Sequence, residues 1–207
     1  MLEEVMMTAD GLRADARSNR DQIVASALIL FRDKGIDVSM KEVADHARVG
    51  VGTLYRRFPD REALIYAASH AYLTGLAEGV TTAAREEPDA WSALRRFLHE
   101  CARTGVGAFA SSVEPVLHSR IRVDAHLTEV RATVVAAIGD LVTRAHADGT
   151  LRPDVDVGDV ARLMTVQIYS RPDEEPTAAI ARVVDLLLDG ISIGPRSAGS
   201  SPSGRVL

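Results

Sequence analysis

Apolar residues recur along this chain at intervals of three and four, and no stretch sustains the alternation of a half-buried strand. The pattern predicts an all-α protein. A first helix is expected around Ile23–Phe31, ending at Lys34-Gly35. A short helix should start at Met40 and turn Val43, Ala44 and Ala47 inward, with Lys41, Glu42 and Asp45 outward. The next, Val51 to Phe58, places Leu54 and Phe58 four apart on one inward face, and Pro59 stops it. A long helix is predicted from Arg61 to about Ala84, and another from Ala90 to Arg103, where Trp91, Leu94, Phe97, Leu98 and Cys101 form one stripe. Gly105 and Gly107 are expected to break that helix, and the boundaries from there to Arg122 stay open. Asp124 to Ala147, Val157 to Tyr169 and Thr177 to Ile191 complete the set, the last two separated by a polar loop, Arg171 to Pro176. No internal repeat is present.

The most informative stretch is Ser39 to Arg61. Ser39 with Glu42 three places on is a capping box, which sets the start of the first short helix. Arg48-Val49-Gly50 forms a turn with Val49 as the apolar plug, and Gly50 serves as N-cap of the second short helix. A capped helix, a Gly-containing turn and a second helix rich in Arg, Thr and Tyr is the layout of a DNA-binding helix-turn-helix. Gly52 near a helix start costs roughly 0.5–1 kcal/mol relative to Ala, and close approach to a groove wall supplies a reason for it. The residues expected at DNA are Ser39, Lys41, Arg48, Gly50, Val51, Gly52, Thr53, Tyr55, Arg56, Arg57 and Arg61. Thr53 offers a hydroxyl and a methyl to base edges, and the arginines reach phosphates or guanine. The plain alternative is a packing element with a solvated Arg pair.

The run Gly52-Thr53-Leu54-Tyr55-Arg56-Arg57-Phe58, continuing to Leu64, with the upstream helix Ile23–Phe31 and Lys34-Gly35, resembles the N-terminal domain of the TetR family of bacterial transcriptional regulators. The resemblance covers roughly residues 18–68. Two positions depart from the family's usual pattern: Arg48 stands where Gly is common, and Gly50 where Ser is common. The resemblance implies an N-terminal three-helix DNA-binding domain followed by a larger helical domain for ligand binding and dimerisation. Its implied layout is a flexible arm at 1–17, the helix-turn-helix domain at 18–68, an effector and dimerisation domain at 69–193, and a disordered Ser/Gly/Pro-rich tail at 194–207. By the same resemblance the last two helices pair with a second subunit through Val160, Leu163, Ile168, Val184, Leu187 and Leu188. The run Val183-Val184 and Leu186-Leu187-Leu188 wraps wider than one stripe, an excess that core packing inside a monomer explains in part and a homodimer explains better. A small-molecule pocket is also implied, its wall drawn from Tyr72, Trp91, Phe97, Cys101, Phe109, Leu117, His118, His126 and Met164, each with a plain core reading beside it. The expected function is a sequence-specific homodimeric repressor, released from a pseudo-palindromic operator in double-stranded DNA by a small-molecule effector. An activator or a nucleoid-type binder using the same helix is the third reading of the sequence.

Charge changes the picture once it is divided. The 207-residue chain carries −5 overall, with 46% hydrophobic residues, enough for a real core. Residues 39–61 hold five basic side chains against three acidic, whereas 14 basic face 18 acidic from residue 71 onward. The acidity sits away from the expected DNA face, and a basic footprint this small implies that two subunits act together. Arg13, Arg17 and Arg20 read either as a DNA-contacting arm or as an ordinary charged tail. The single Cys101 excludes an intrachain disulfide and fits a reducing cytoplasm. Met1 to Asp10 lacks the apolar core of a signal peptide, and no apolar run is long enough to span a membrane. No Ser-His-Asp ordering, phosphate loop or dinucleotide turn appears, and His99, His118 and His126 lack metal-ligand spacing. A non-enzyme without metal or cofactor is therefore expected. A helical hydrolase or ligand carrier is the competing class, and either leaves the Gly-Thr-Leu-Tyr helix without a purpose.

Overall fold

The structure, a computed structural model, describes the backbone of residues 2–121, 124–169, 171 and 173–193, and the side chains of the same set from residue 18 onward except 114–121. Among the described residues there are nine helices: α1 Leu2–Lys34, α2 Met40–His46, α3 Val51–Arg57, α4 Arg61–Glu86, α5 Ala90–Thr104, α6 Val106–Ile121, α7 Ala125–Ala147, α8 Val157–Met164 and α9 Pro176–Ile191. The only extended pairing among them is one isolated antiparallel bridge, Leu151 with Ser192. Among the described residues no helix is long and apolar enough to cross a membrane. The chain divides into two compact units, Met1–Leu76 with Ala108–Ala132, and Ala77–Gly107 with Thr133–Leu207.

In the first unit, α1 contributes Ile23, Ala27, Leu30 and Phe31, spaced so that all lie on one stripe and all buried. They share a core with Val43 and Ala44 of α2, Leu54 of α3, Leu64 and Ala68 of α4, and Phe109 and Val113 of α6. Burying side chains such as Ile23 or Phe31 stabilises by roughly 1.5–3 kcal/mol each. Gly35 ends α1 with φ 84, a left-handed conformation that suits glycine, and its N–H donates to the Phe31 carbonyl at 3.0 Å. The α1 backbone is helical from Leu2, through the segment expected as an arm; the side chains of Arg13 and Arg17 lie outside the described residues.

In the second unit, α5 buries Ala90, Ala93, Leu94, Phe97, Leu98 and Cys101 along one stripe and packs against α9 and α8. Asp89 caps its start by accepting from Ser92 N at 2.8 Å, and Gly105 (φ 73) caps its end. Asp185 on α9 receives the Arg95 guanidinium at 3.1 Å and lies 3.0 Å from His99 Nε2, so two α5 side chains hold α9 in place. The Leu151–Ser192 bridge, with Ile193 N donating to Thr150 O at 3.0 Å, ties the end of α9 to the turn after α7.

Two boundaries differ from expectation. The last helix but one ends at Met164 and not at Tyr169, since Thr165 leaves helical geometry (φ −99, ψ 6). Gly107 does not break a helix; it lies inside α6, which runs continuously to Ile121. A Cβ on Gly107 would come within 2.5 Å of the Thr165 carbonyl oxygen, so the chain after α8 crosses against bare backbone. Gln167 Nε2 donates to the Gly107 carbonyl at 3.4 Å across the same contact. Residues 194–207, expected as a disordered tail, lie outside the described residues.

Candidate functional site

The capping box is formed: Glu42 N–H donates to Ser39 Oγ at 3.1 Å, and Ser39 N–H donates to the Glu42 carboxylate at 2.9 Å. The Ser39 backbone N–H, then its hydroxyl, then Lys34 hold the Glu42 carboxyl down to about 2. Ala44 and Val43 turn into the core, so α2 is seated by its apolar face and capped at its start. Its outer Lys41 pairs with Asp45 at 2.7 Å, an exposed i,i+4 bridge.

The turn after α2 requires a left-handed residue, and Arg48 takes it with φ 53. Val49 N–H reaches back to Ala44 O at 3.0 Å, which closes the helix end, and the Val49 side chain packs half-buried on the core. A residue with a Cβ is strained there, by about 1–2 kcal/mol. Gly50 then caps α3 through its backbone only, its carbonyl accepting from Thr53 and Leu54 N–H, with no side-chain cap.

α3 is seated by two residues, Leu54 and Phe58, both buried. The other positions are exposed or half-buried. Val51, Gly52, Arg56 and Arg57 are exposed, and Tyr55 is 48% exposed. Thr53 is half-buried, and its hydroxyl accepts from Arg56 Nη2 at 3.0 Å. A Cβ at Gly52 would meet nothing within 4 Å, so nothing inside the chain calls for glycine at this position. Phe58 also receives the Arg20 guanidinium over its ring at 5.6 Å, a cation–π contact from α1.

Arg61 has a different place from the one its sequence position suggests. Its Nη1 donates to the carbonyls of both Ile36 and Val38, which ties the first turn of α4 to the loop before α2. Asp60 caps α4 by accepting from Ala63 N at 2.7 Å. Sequence patterns carry no sign of the Arg61 contact, because it spans more than twenty residues and a loop of irregular backbone.

The residues expected to line a pocket are divided. Tyr72, Phe109 and His126 belong to the first unit, and Trp91, Phe97, Cys101 and Met164 to the second. The structure brings Tyr72 and Phe109 together, rings 4.6 Å apart and tilted. His126 pairs with His70. Phe97 and Met164 are buried in the second unit's core; so is Cys101, where burial pushes the thiol up to about 12. The side chains of Leu117 and His118 lie outside the described residues. Among the described residues no group of three His, Cys, Asp or Glu is placed to hold a metal ion.

The residues expected at a dimer interface fall into two groups within the single chain. Val160, Val184 and Leu188 point into the core and are buried. Leu163, Ile168 and Leu187 are half-buried. The outward apolar side chains are Val183, Leu186 (60% exposed), Val166 and Tyr169 (83% exposed). On α9 this follows from the period: 184 and 188 share the inward stripe, which turns 183 and 186 away from it.

Comparison with known proteins agrees with this geometry. Residues 23–68 match the family described as bacterial regulatory proteins, tetR family. Residues 88–193 match the C-terminal domain of SbtR-like transcriptional regulators. An HTH-type transcriptional regulator of Staphylococcus aureus (strain USA300) is 41% identical over 56 residues, 27% of this chain; the match spans only 30% of that relative's length. The TetR transcriptional regulator SCO0520 of Streptomyces coelicolor is 32% identical with a TM-score of 0.59, covering 84% of this chain and 98% of that one. A TetR regulatory protein from Mycobacterium vanbaalenii gives 27% identity and a TM-score of 0.63 over 88% of this chain and 99% of its own. AibR, solved with isovaleryl coenzyme A and operator DNA, shares the fold at 18% identity and a TM-score of 0.59, over 84% of this chain and 97% of its own. With an outward helix supplying Thr53, Tyr55, Arg56 and Arg57 over a capped support helix, and with both halves of the chain matched, this protein belongs to the TetR family of DNA-binding transcriptional regulators and is not an enzyme.

Proposed function

We propose that the chain is a homodimeric repressor that reads a pseudo-palindromic operator through α3 and is released by a small-molecule effector. The observation that carries the DNA-reading part is the division of α3. Two side chains seat it, Leu54 and Phe58, and every other position is left outward or half-buried. Thr53 is assigned to base edges. Arg57 and Lys41 are assigned to phosphates, with Asp45 releasing Lys41 when a polyanion arrives. The vacancy around Gly52 suits a helix start pressed close to a groove wall. Arg61 is assigned to holding the loop before α2 in register with α4 and not to a phosphate.

The outward apolar face of α9 supports the dimer. Leu186 and Val183 lie on a helix that already satisfies its own core through Val184 and Leu188. A two-fold protein places two α3 helices in successive major grooves, roughly 34–36 Å apart for half-sites one turn apart. AibR, solved in complex with isovaleryl coenzyme A and operator DNA, is a protein of this fold that binds both a small molecule and DNA. The α4, α6 and α7 helices each contribute residues to both units. An effector that favours another arrangement of these helices couples to DNA binding by no more than its differential affinity, typically about 1–3 kcal/mol.

Selection of sites from a random duplex library, followed by salt titration of the recovered duplex, tests the reading. A pseudo-palindrome bound by a dimer is the expected result. Thr53→Ala should lower discrimination between that site and random DNA, while Arg57→Ala should weaken both alike and flatten the salt slope by about one. Sequence-blind binding that is indifferent to Arg57→Ala would remove α3 from the reading role.

A further inference from the structure

The first unit contains a contact that DNA reading does not use. His70 on α4 and His126 on α7 bring their Nε2 atoms to 2.7 Å, with ring centroids 4.6 Å apart and planes inclined by 24°. The nitrogens are closer than the centroids, so the two rings converge at their Nε2 corners. A neutral imidazole pair in this arrangement has one ring donate and the other accept. Protonating the accepting ring leaves two donors and two like charges facing each other.

The charged surroundings are shared between three helices. Arg20 of α1 adds a positive charge, and Asp124 ahead of α7 opposes it. Tyr66, one turn before His70 on α4, donates to Asp124. Glu129 lies one turn beyond His126 on α7. Burial first, then His126 and Arg20, hold His70 below its ordinary 6.5, with Asp124 acting against them.

We propose that His70 and His126 form a proton-sensitive clasp that holds α4 against the start of α7 inside the DNA-binding unit and weakens DNA binding when it opens in mild acid. The link to DNA runs along α4. Nine residues before His70, Arg61 on the same helix holds the Ile36 and Val38 carbonyls just ahead of α2. Both ends of the lever lie within one compact unit. The sign follows from His70. Its folded pKa lies below the unfolded one, so the unfolded or opened chain binds more protons. The clasp's contribution is complete above about pH 6.5 and shrinks as the pH falls from there toward the lowered value. Simple charge predicts the opposite for DNA, since added protons strengthen attraction to a polyanion. The two effects are therefore separable by direction.

The test uses the full chain and a duplex of about 30 base pairs, random or selected, at fixed ionic strength and at about pH 7.5 and about pH 5.5, the interval in which histidine titrates. Wild type should lose affinity by at least about fivefold on acidification, the lower end of ordinary coupling. The double variant His70→Gln/His126→Gln should lose none, or gain. Histidine ring-proton NMR titration is run beside it on wild type and on His126→Gln, where the His70 midpoint should rise. Equal pH dependence in wild type and double variant overturns the clasp. So does a His70 midpoint that ignores His126→Gln. If the double variant does not fold, the ring-proton titration decides: a His70 midpoint at the ordinary value in wild type, or one that does not move on His126→Gln, overturns the clasp. Absence of any DNA binding at pH 7.5 counts against the DNA-reading assignment, and the NMR titration still decides the clasp.

Discussion

α3 and α9 are both helices with a narrow buried stripe, yet they present opposite kinds of surface. α3 is held by Leu54 and Phe58 and offers Thr53, Tyr55, Arg56 and Arg57. α9 is held by Val184 and Leu188 and offers Val183 and Leu186. The first suits a wet, anionic partner that gains from charge and hydrogen bonds. The second suits an apolar partner, because exposed leucine surface is stabilised only when water is removed from it. Seating a helix takes few residues; what the remaining positions carry decides what the helix is for.

The strongest way to break this comparison is to exchange which residues matter. Leu54→Ala should lower the unfolding free energy by about 2–5 kcal/mol, since it empties a fully buried site. Leu186→Ala should stay within about 0.5 kcal/mol at concentrations where the chain is monomeric. Denaturant unfolding of both variants checks the pair, and a large loss for Leu186→Ala in the monomer would mean that α9 has no free face. Sedimentation of Leu186→Lys sharpens the same point, with a shift from dimer to monomer expected.

Gly107→Ala comes next. The new methyl meets the Thr165 and Val166 carbonyls, so a loss of about 1–3 kcal/mol is expected, readable as a lower melting temperature. Retention of full stability would show that the segment after α8 moves aside freely.

The α2 capping box has its own pH signature. The Glu42 carboxyl is depressed to about 2 from 4.5, so its contribution is present above about pH 4.5 and disappears as the pH falls toward 2. Acid unfolding of Glu42→Ala should be shallower than that of wild type over that interval. Identical acid limbs would leave the box without thermodynamic weight.

The smallest expected change is Gly50→Ser. The backbone there (φ −65, ψ 140) accepts a side chain, and the nearest atom to a new Cβ is Thr53 Oγ1 at 3.9 Å. A serine hydroxyl can cap α3, with a gain of a few tenths of a kcal/mol. Thermal melts of the two proteins compare them directly, and a lower melting temperature for the variant would contradict the open geometry.

The DNA-facing half was legible from residues because its determinants are short-range. Ser39 and Glu42 are three apart, Leu54 and Phe58 four apart, and both pairs act within one or two turns. α9 was legible only as apolar. Its five apolar residues, Val183 to Leu188 around Asp185, do not say which stripe faces inward, and Val184 and Leu188, expected at a dimer interface by family resemblance, are buried in the chain's own core. The helical pattern after Met164 was misleading for a related reason. Val166 and Ile168 are apolar enough to continue α8, but helical geometry ends at Thr165, where the backbone passes close to Gly107.

The amino-acid sequence by itself determined the helical class, the start of α2, the turn at Arg48 to Gly50 and the seating of α3, because caps, turns and stripes are set by neighbours within about four residues. The tertiary structure alone decided where α8 stops, which side chains of α9 face outward, where Arg61 spends its guanidinium, and that His70 meets His126. The positions in these contacts stand tens of residues apart along the chain. Their meeting depends on how whole helices pack, and local propensity carries no record of that.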